Sequence, residues 1–205
     1  MLEEITILEN NKDYKKEEEP NNIYQGTDIK IFDNRSNWFG WQKQIYNMIA
    51  NERGEIKQPN LRTIISIVDR RGNSGKSTFF KYMLAKEFPN DIARIGYGSA
   101  SQLRPSVTNI GPKKIYIIDL PRSKSKQDRE EDLLSILEDI KIGLVINPMY
   151  GVGNTLLMDP PHVIVASNYI PNYKLLSSDR WEMHEITEEK ELGEKNELIK
   201  NEIKK

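Results

Sequence analysis

The strongest constraint in this chain is a glycine-rich turn set between an apolar run and a helix-forming stretch. Residues 61–68 are nearly continuously apolar and rich in β-branched side chains. This pattern belongs to a strand buried on both faces of a parallel sheet. Gly72-Asn73-Ser74-Gly75-Lys76-Ser77-Thr78 follows, and residues 77–88 then read as a helix stopped by Pro89. A strand that turns through glycines into a helix start is the context a phosphate-binding loop requires. The glycines let backbone N–H groups turn inward around phosphate oxygens, and the helix N-terminus adds partial positive charge. In such a loop Lys76 reaches the β and γ phosphates and the Ser77 hydroxyl can ligate Mg²⁺. The strict pattern GxxxxGK[ST] would put a glycine at position 70, where this chain carries Arg70.

Three further positions bear on chemistry. Residues 114–120 read as a strand, and Ile115-Tyr116-Ile117-Ile118-Asp119 ends it in a carboxylate, the place of an Mg²⁺-binding Asp in nucleotide hydrolases. Leu120 follows, so no adjacent acid is available as a general base. Glu138 and Asp139 are candidates for that role and read equally as solvated helix residues. His162-Val163-Ile164-Val165-Ala166-Ser167-Asn168 ends another strand in an amide. Asn168 there either orients an attacking water or simply makes a turn before Pro171. Arg180, in Ser178-Asp179-Arg180-Trp181, is either a structural partner of Asp179 or an arginine finger.

Around these positions the pattern gives an organisation. Residues 1–36 are polar and read as an arm or linker. Residues 37–51 carry Trp38, Trp41, Ile45, Met48 and Ile49 at helical spacing. A short strand is expected at 92–95, a helix at 129–142 and a hairpin over 143–158 around Gly151-Val152-Gly153-Asn154. Strands at 162–167 and 182–186 follow, then a Glu/Lys-rich tail from 187 to 205. There is no internal repeat. Alternating strands and helices over 37–186 argue for a three-layer α/β domain with a mostly parallel sheet.

Composition removes whole classes of function. With no cysteine among 205 residues, disulfides, thiolate nucleophiles and cysteine-ligated zinc are out of reach. The only two histidines, His162 and His184, are far apart in sequence, which excludes a HExxH metal helix. No apolar run is long enough to span a membrane and no signal peptide opens the chain, so a soluble intracellular protein without a membrane partner is expected. Thirty basic against 31 acidic residues leave a net charge of −1, which does not advertise nucleic-acid binding except through a local patch or an oligomeric channel.

In this order, the elements resemble the superfamily 3 helicase domain, most closely that of the replication-initiator (Rep) proteins of small circular single-stranded DNA viruses. The resemblance runs from about Trp41 to Ile186. It is carried by Trp41-Gln42 and by the Gly72 to Ser77 loop. Asp119-Leu120-Pro121-Arg122 looks like that family's Walker B. Leu137-Glu138-Asp139-Ile140-Lys141 with Gly143 and Tyr150 looks like the B′ segment. Pro161 to Asn168 looks like motif C, and Leu176 to Trp181 like the arginine-finger stretch. The resemblance implies an AAA+-like P-loop ATPase that uses ATP and Mg²⁺. It also implies a homo-hexameric ring moving on single-stranded DNA in the nucleus or cytoplasm of a host cell. RNA-virus helicases share the pattern, so RNA is an alternative partner. Lys76 and Ser77 would meet phosphate and Mg²⁺, Asp119 Mg²⁺, Asn168 the γ-phosphate as sensor, and Arg180 a neighbour's ATP in trans. Tyr150 would stack on the strand, with a buried core Tyr150 as the alternative, and Lys141 would be its nearest phosphate partner.

Two departures from the family stand out. The family's nicking endonuclease needs a metal-binding His pair that this sequence lacks, although Tyr14-Lys15-Lys16 faintly resembles the end of that domain. The chain therefore reads as a helicase half. Met149 occupies a position before Tyr150 that is usually basic in the family. A relative that binds ATP without unwinding is a competing reading. A small P-loop kinase is another, disfavoured because the last third of the chain offers only Arg180 where a kinase lid clusters arginines.

Overall fold

The computed structural model describes residues 28–120, 130–148 and 154–204. In chain order these form α1 (Gly40–Ile49), β1 (Ile64–Val68), α2 (Lys76–Tyr82), β2 (Ile92–Ile95), α3 (Ala100–Ile110), β3 (Ile115–Asp119), α4 (Glu130–Ile142), β4 (Leu144–Asn147), β5 (Asn154–Leu157), β6 (His162–Ser167), β7 (Trp181–Glu185) and α5 (Glu197–Ile203). Five strands pair in the order β2-β3-β6-β1-β7, and every pairing is parallel. The antiparallel hairpin β4-β5 stands apart from this sheet. Among the described residues no helix is long and apolar enough to cross a membrane.

Strand alternation distributes the apolar side chains to two cores. Ile64 and Val68 of β1, Tyr116 and Ile118 of β3, and Val163 and Val165 of β6 join one core with Leu103 and Val107 of α3, Leu133, Leu134 and Leu137 of α4, and Leu198 of α5. Ile65, Ile67, Ile115, Ile117 and Ile164 join the other with α1 and α2. The second core is aromatic: Trp38, Trp41 and Phe32 meet Phe79 edge-on with ring centroids 5.0, 5.4 and 5.7 Å away. Edge-to-face pairs of this kind add to the area they bury. The fully buried β1 is what the apolar run in the sequence anticipates.

Some segments differ from their sequence pattern. The helix expected over 77–88 is α2 continued by a π-helical turn, Met83–Glu87. That turn brings the Glu87 carboxylate to Arg35, Tyr46 and Tyr82 at 2.6–2.9 Å. Helix α3 lacks a clean apolar period and contains Pro105, so the sequence hid it; Ser99 and Gln102 cap its start reciprocally. Residues 28–36, expected within a polar arm, bury Ile29 and Phe32 against α2. Residues 187–204, expected as a charged tail, fold back onto the sheet edge. The Trp41 amide donates to the Lys190 carbonyl at 2.9 Å, and Asn196 Oδ1 accepts from the Met183 amide at 2.8 Å. Leu198 and Ile199 are buried there, sparse apolar anchors that the surrounding charges mask in a composition count. Tyr14, Met149 and Tyr150 lie outside the described residues.

The last turn of α4 corrects another expectation. Lys141 is 1% exposed, and its ammonium donates to the Pro161 carbonyl at 2.7 Å. It braces the hairpin root from inside and is not available to a nucleic-acid phosphate. Burial, helped by the nearby Arg180 charge, lowers its pKa to about 8 from 10.5. Between those values the unfolded chain holds a proton that the folded one has released, so stability increases as pH rises through this window. Urea midpoints should climb from about pH 8 to about pH 9.5, before tyrosine ionisation intervenes. In Lys141→Met the climb should vanish, with stability at pH 7 kept or raised. A wild-type midpoint that is flat or falling across this range would contradict the buried charge.

Candidate functional site

Because all strands of the main sheet run the same way, their carboxyl ends share one edge, where α/β sheets bind ligands. The loop after β1, Asp119 at the end of β3 and Asn168 just after β6 meet there around an open cleft of ≈ 570 Å³. Asn73 to Thr78, Asp69, Arg94 and Leu120 complete its lining. The loop turns through positive φ at Gly72 (78°), Asn73 (58°) and Gly75 (81°). At Gly75, which opens α2, a side chain would be strained in this conformation.

Asp69, the first residue after β1, organises the loop. Its Oδ1 accepts from the Gly72 amide at 2.8 Å, and its Oδ2 from the Ser74 hydroxyl at 2.6 Å and the Lys76 ammonium at 2.7 Å. Asp69 and Lys76 are 3% and 8% exposed, so this is a buried ion pair. Burial opposes ionisation of Asp69, but the bonds from Lys76, Ser74 and Gly72 outweigh it and hold the carboxyl below its ordinary range. The backbone is fixed as well. The Asp69 amide donates to the Ser167 carbonyl at 2.9 Å, and Asn168 Nδ2 donates to the Asp69 carbonyl at 2.6 Å. Asn168 therefore faces the cleft and ties the end of β6 to the loop. From the other core, Trp41 Nε1 donates to the Ser74 carbonyl at 3.1 Å.

Across the cleft, Asp119 accepts from Arg94 of β2 at 3.2 Å. Among the described residues, the charged side chains lining the cleft are two cations, Lys76 and Arg94, and two carboxylates, Asp69 and Asp119, each cation beside one carboxylate. Ser77 and Thr78 also line it. Among the described residues no group of three or more His, Asp or Glu side chains gathers to hold a metal.

Arg180 lies elsewhere. It immediately precedes β7, whose first residue Trp181 pairs with Ile64 at the start of β1, the opposite end of the sheet from the loop. Its guanidinium is 13% exposed and 3.6 Å from Glu138, while Asp179 pairs with Arg62 at 2.7 Å. The alternative of an Arg180–Asp179 pair is therefore replaced by these two. Asp139 pairs with Arg104. Glu138 and Asp139 are thus engaged on α4 and do not line the cleft, which leaves neither as its general base. His162 and His184 each contact a backbone carbonyl, of Lys57 and Gly193, and neither lines the cleft.

Asp69 and Arg94 escaped the sequence reading. A signal existed for each: Asp69 ends the apolar run just before the glycines, and Arg94 is the lone charge in Ile92-Ala93-Arg94-Ile95.

No protein-family model matches the chain. Among curated proteins it is similar to Para-Rep C7 of Faba bean necrotic yellows C7 alphasatellite, 34% identical over 143 residues, 68% of this chain and 45% of that protein. Para-Rep C10 of Milk vetch dwarf C10 alphasatellite is 32% identical over 143 residues, again 68% and 45%. Para-Rep C6 of Subterranean clover stunt C6 alphasatellite is 29% identical over 145 residues, with the same coverage. The match spans less than half the length of these relatives. The chain is a homologue of the alphasatellite Para-Rep proteins, which bears out the Rep-type resemblance of its motifs.

Proposed function

We propose that this chain is the nucleoside triphosphatase part of a Rep-type replication protein. In this reading it is a three-layer, AAA+-like superfamily 3 domain that hydrolyses ATP and moves along single-stranded DNA as a homo-hexamer. The observation that carries the reading is the convergence of Lys76, Ser77, Asp119 and Asn168 on one polar cleft, from the ends of three neighbouring strands. In it, the backbone of Gly72, Asn73, Ser74 and Gly75 cradles the phosphates, with Lys76 supplying charge and Thr78 lining the wall. Ser77 and Asp119 hold Mg²⁺, which supplies charge neutralisation on the phosphates. Asn168 orients the attacking water, fixed for this by its bond to the Asp69 carbonyl.

Arg180 cannot serve its own cleft from the far end of the sheet, so a role on phosphate requires a neighbouring copy. The hairpin exposes Leu144, Ile146 and Leu157, apolar surface that a neighbour in a ring would cover. Tyr150, between β4 and β5, is the proposed contact to a base.

Titration with a fluorescent ATP analogue tests the cleft. Wild type should bind with Mg²⁺, and Lys76→Ala should weaken binding at least about tenfold, the scale of one charge-assisted contact. EDTA should weaken it as well, because the positive charge that Mg²⁺ would place between Asp119 and the phosphates is then missing. Since Lys76 also neutralises Asp69, the variant should melt at a lower temperature. Undiminished binding by folded Lys76→Ala would remove the loop from the site.

For Arg180, Arg180→Ala should bind ATP and turn it over poorly. Mixed with Lys76→Ala, it should regain part of the turnover at interfaces where each copy supplies what the other lacks. Absence of rescue in subunits shown to exchange would assign Arg180 to the Glu138 pair alone.

A further inference from the structure

We infer that Asp69 is a built-in anion that occupies Lys76 in the empty cleft and competes with the nucleotide phosphate for it. The inference rests on the nucleotide-binding reading above and adds a residue that sets the affinity of that site. Three donors of the loop converge on this one carboxylate: the Gly72 amide, the Ser74 hydroxyl and the Lys76 ammonium. These are the kinds of group, and the part of the chain, that would otherwise point at phosphate oxygens. Asp69 therefore keeps the loop shaped for an anion before one arrives.

The same contact has a cost for the ligand. Lys76 and Asp69 are both almost fully buried, so their attraction is little screened by water. A phosphate that takes Lys76 must draw the ammonium away from Asp69 or share it. It also brings further negative charge toward a carboxylate that stays ionised, as its depressed pKa indicates. The departure from the usual loop pattern falls next to Asp69, with Arg70 where the first glycine would be. Among the described residues lining the cleft, the other carboxylate, Asp119, is beside Arg94, so Asp69 is the partner of Lys76.

Asp69→Asn separates the two roles of the residue. The amide oxygen still accepts from the Gly72 amide, and its NH₂ can donate to the Ser74 hydroxyl, so the loop keeps its brace. Lys76 loses its anion and turns to the cleft. Wild type, Asp69→Asn and Lys76→Ala would be titrated with Mg²⁺–ATP and with Mg²⁺–pyrophosphate, and the melting temperature followed with and without each ligand. The expected result is a lower melting temperature for empty Asp69→Asn, together with about tenfold tighter binding of both ligands than wild type. A larger ligand-induced rise in melting temperature should accompany it. Asp69→Ser, which keeps one acceptor for the Gly72 amide, should shift in the same direction and serves if the Asn variant does not fold. Equal or weaker binding by folded Asp69→Asn or Asp69→Ser, with wild type still binding, overturns the inference and leaves the nucleotide site standing. Absence of binding in wild type and in every variant overturns the nucleotide site itself, and Asp69 as its competitor with it.

Discussion

A parallel sheet must be covered on both faces, and every other feature of this protein follows from how that is achieved. Strands β1, β3 and β6 are buried nearly throughout, so they have no room for exposed polar side chains along their length. Polar chemistry is pushed to the strand ends. At the carboxyl edge the chain leaves the sheet at Asp69, Asp119 and Asn168, and these residues are where the cleft forms. The aromatic core under α2 adds a second restraint, since Trp41 packs on Phe79 and donates to the Ser74 carbonyl. The loop is thereby held from both sides of its own backbone.

Within that frame the charges of the described cleft residues are paired. Lys76 is set against Asp69, and Arg94 against Asp119. The first pair is buried, and such pairs contribute little net stability because desolvation offsets most of the attraction; the second is more exposed. Their consequence is for binding: an anion entering the cleft would meet cations that are already engaged. The opposite end of the sheet has its own charged cluster, where Arg180 meets Glu138 near the buried Lys141. The two ends are separate, so any use of Arg180 on a phosphate is a matter between copies of the chain.

Much of this was legible in the sequence. The β1 run, the Gly72 to Thr78 loop, the β2 strand, the β4-β5 hairpin and the carboxylate ending β3 are all where period and punctuation put them, because burial on both faces and turn chemistry leave local marks. What was not legible depends on long-range partners. Lys141 looks like a surface base next to a hairpin, and only the Pro161 carbonyl 20 residues on explains its burial. Residues 187–204 read as solvated charge because three apolar contacts, the partly buried Leu192 and the buried Leu198 and Ile199, are spread among Glu and Lys. Asp69 reads as a turn residue until its three donors are brought together. Helix α3 is masked by Pro105 and by few buried positions, Leu103 and Val107.

In the proposed function, this edge of the sheet turns over a nucleoside triphosphate in the service of movement on a single strand. Phosphate release from Mg²⁺–ATP by the purified chain, measured with and without single-stranded DNA, tests it most directly. Turnover that rises when the strand is added, and that disappears without Mg²⁺, is the predicted result. A folded protein that releases no phosphate under either condition would contradict the proposed activity.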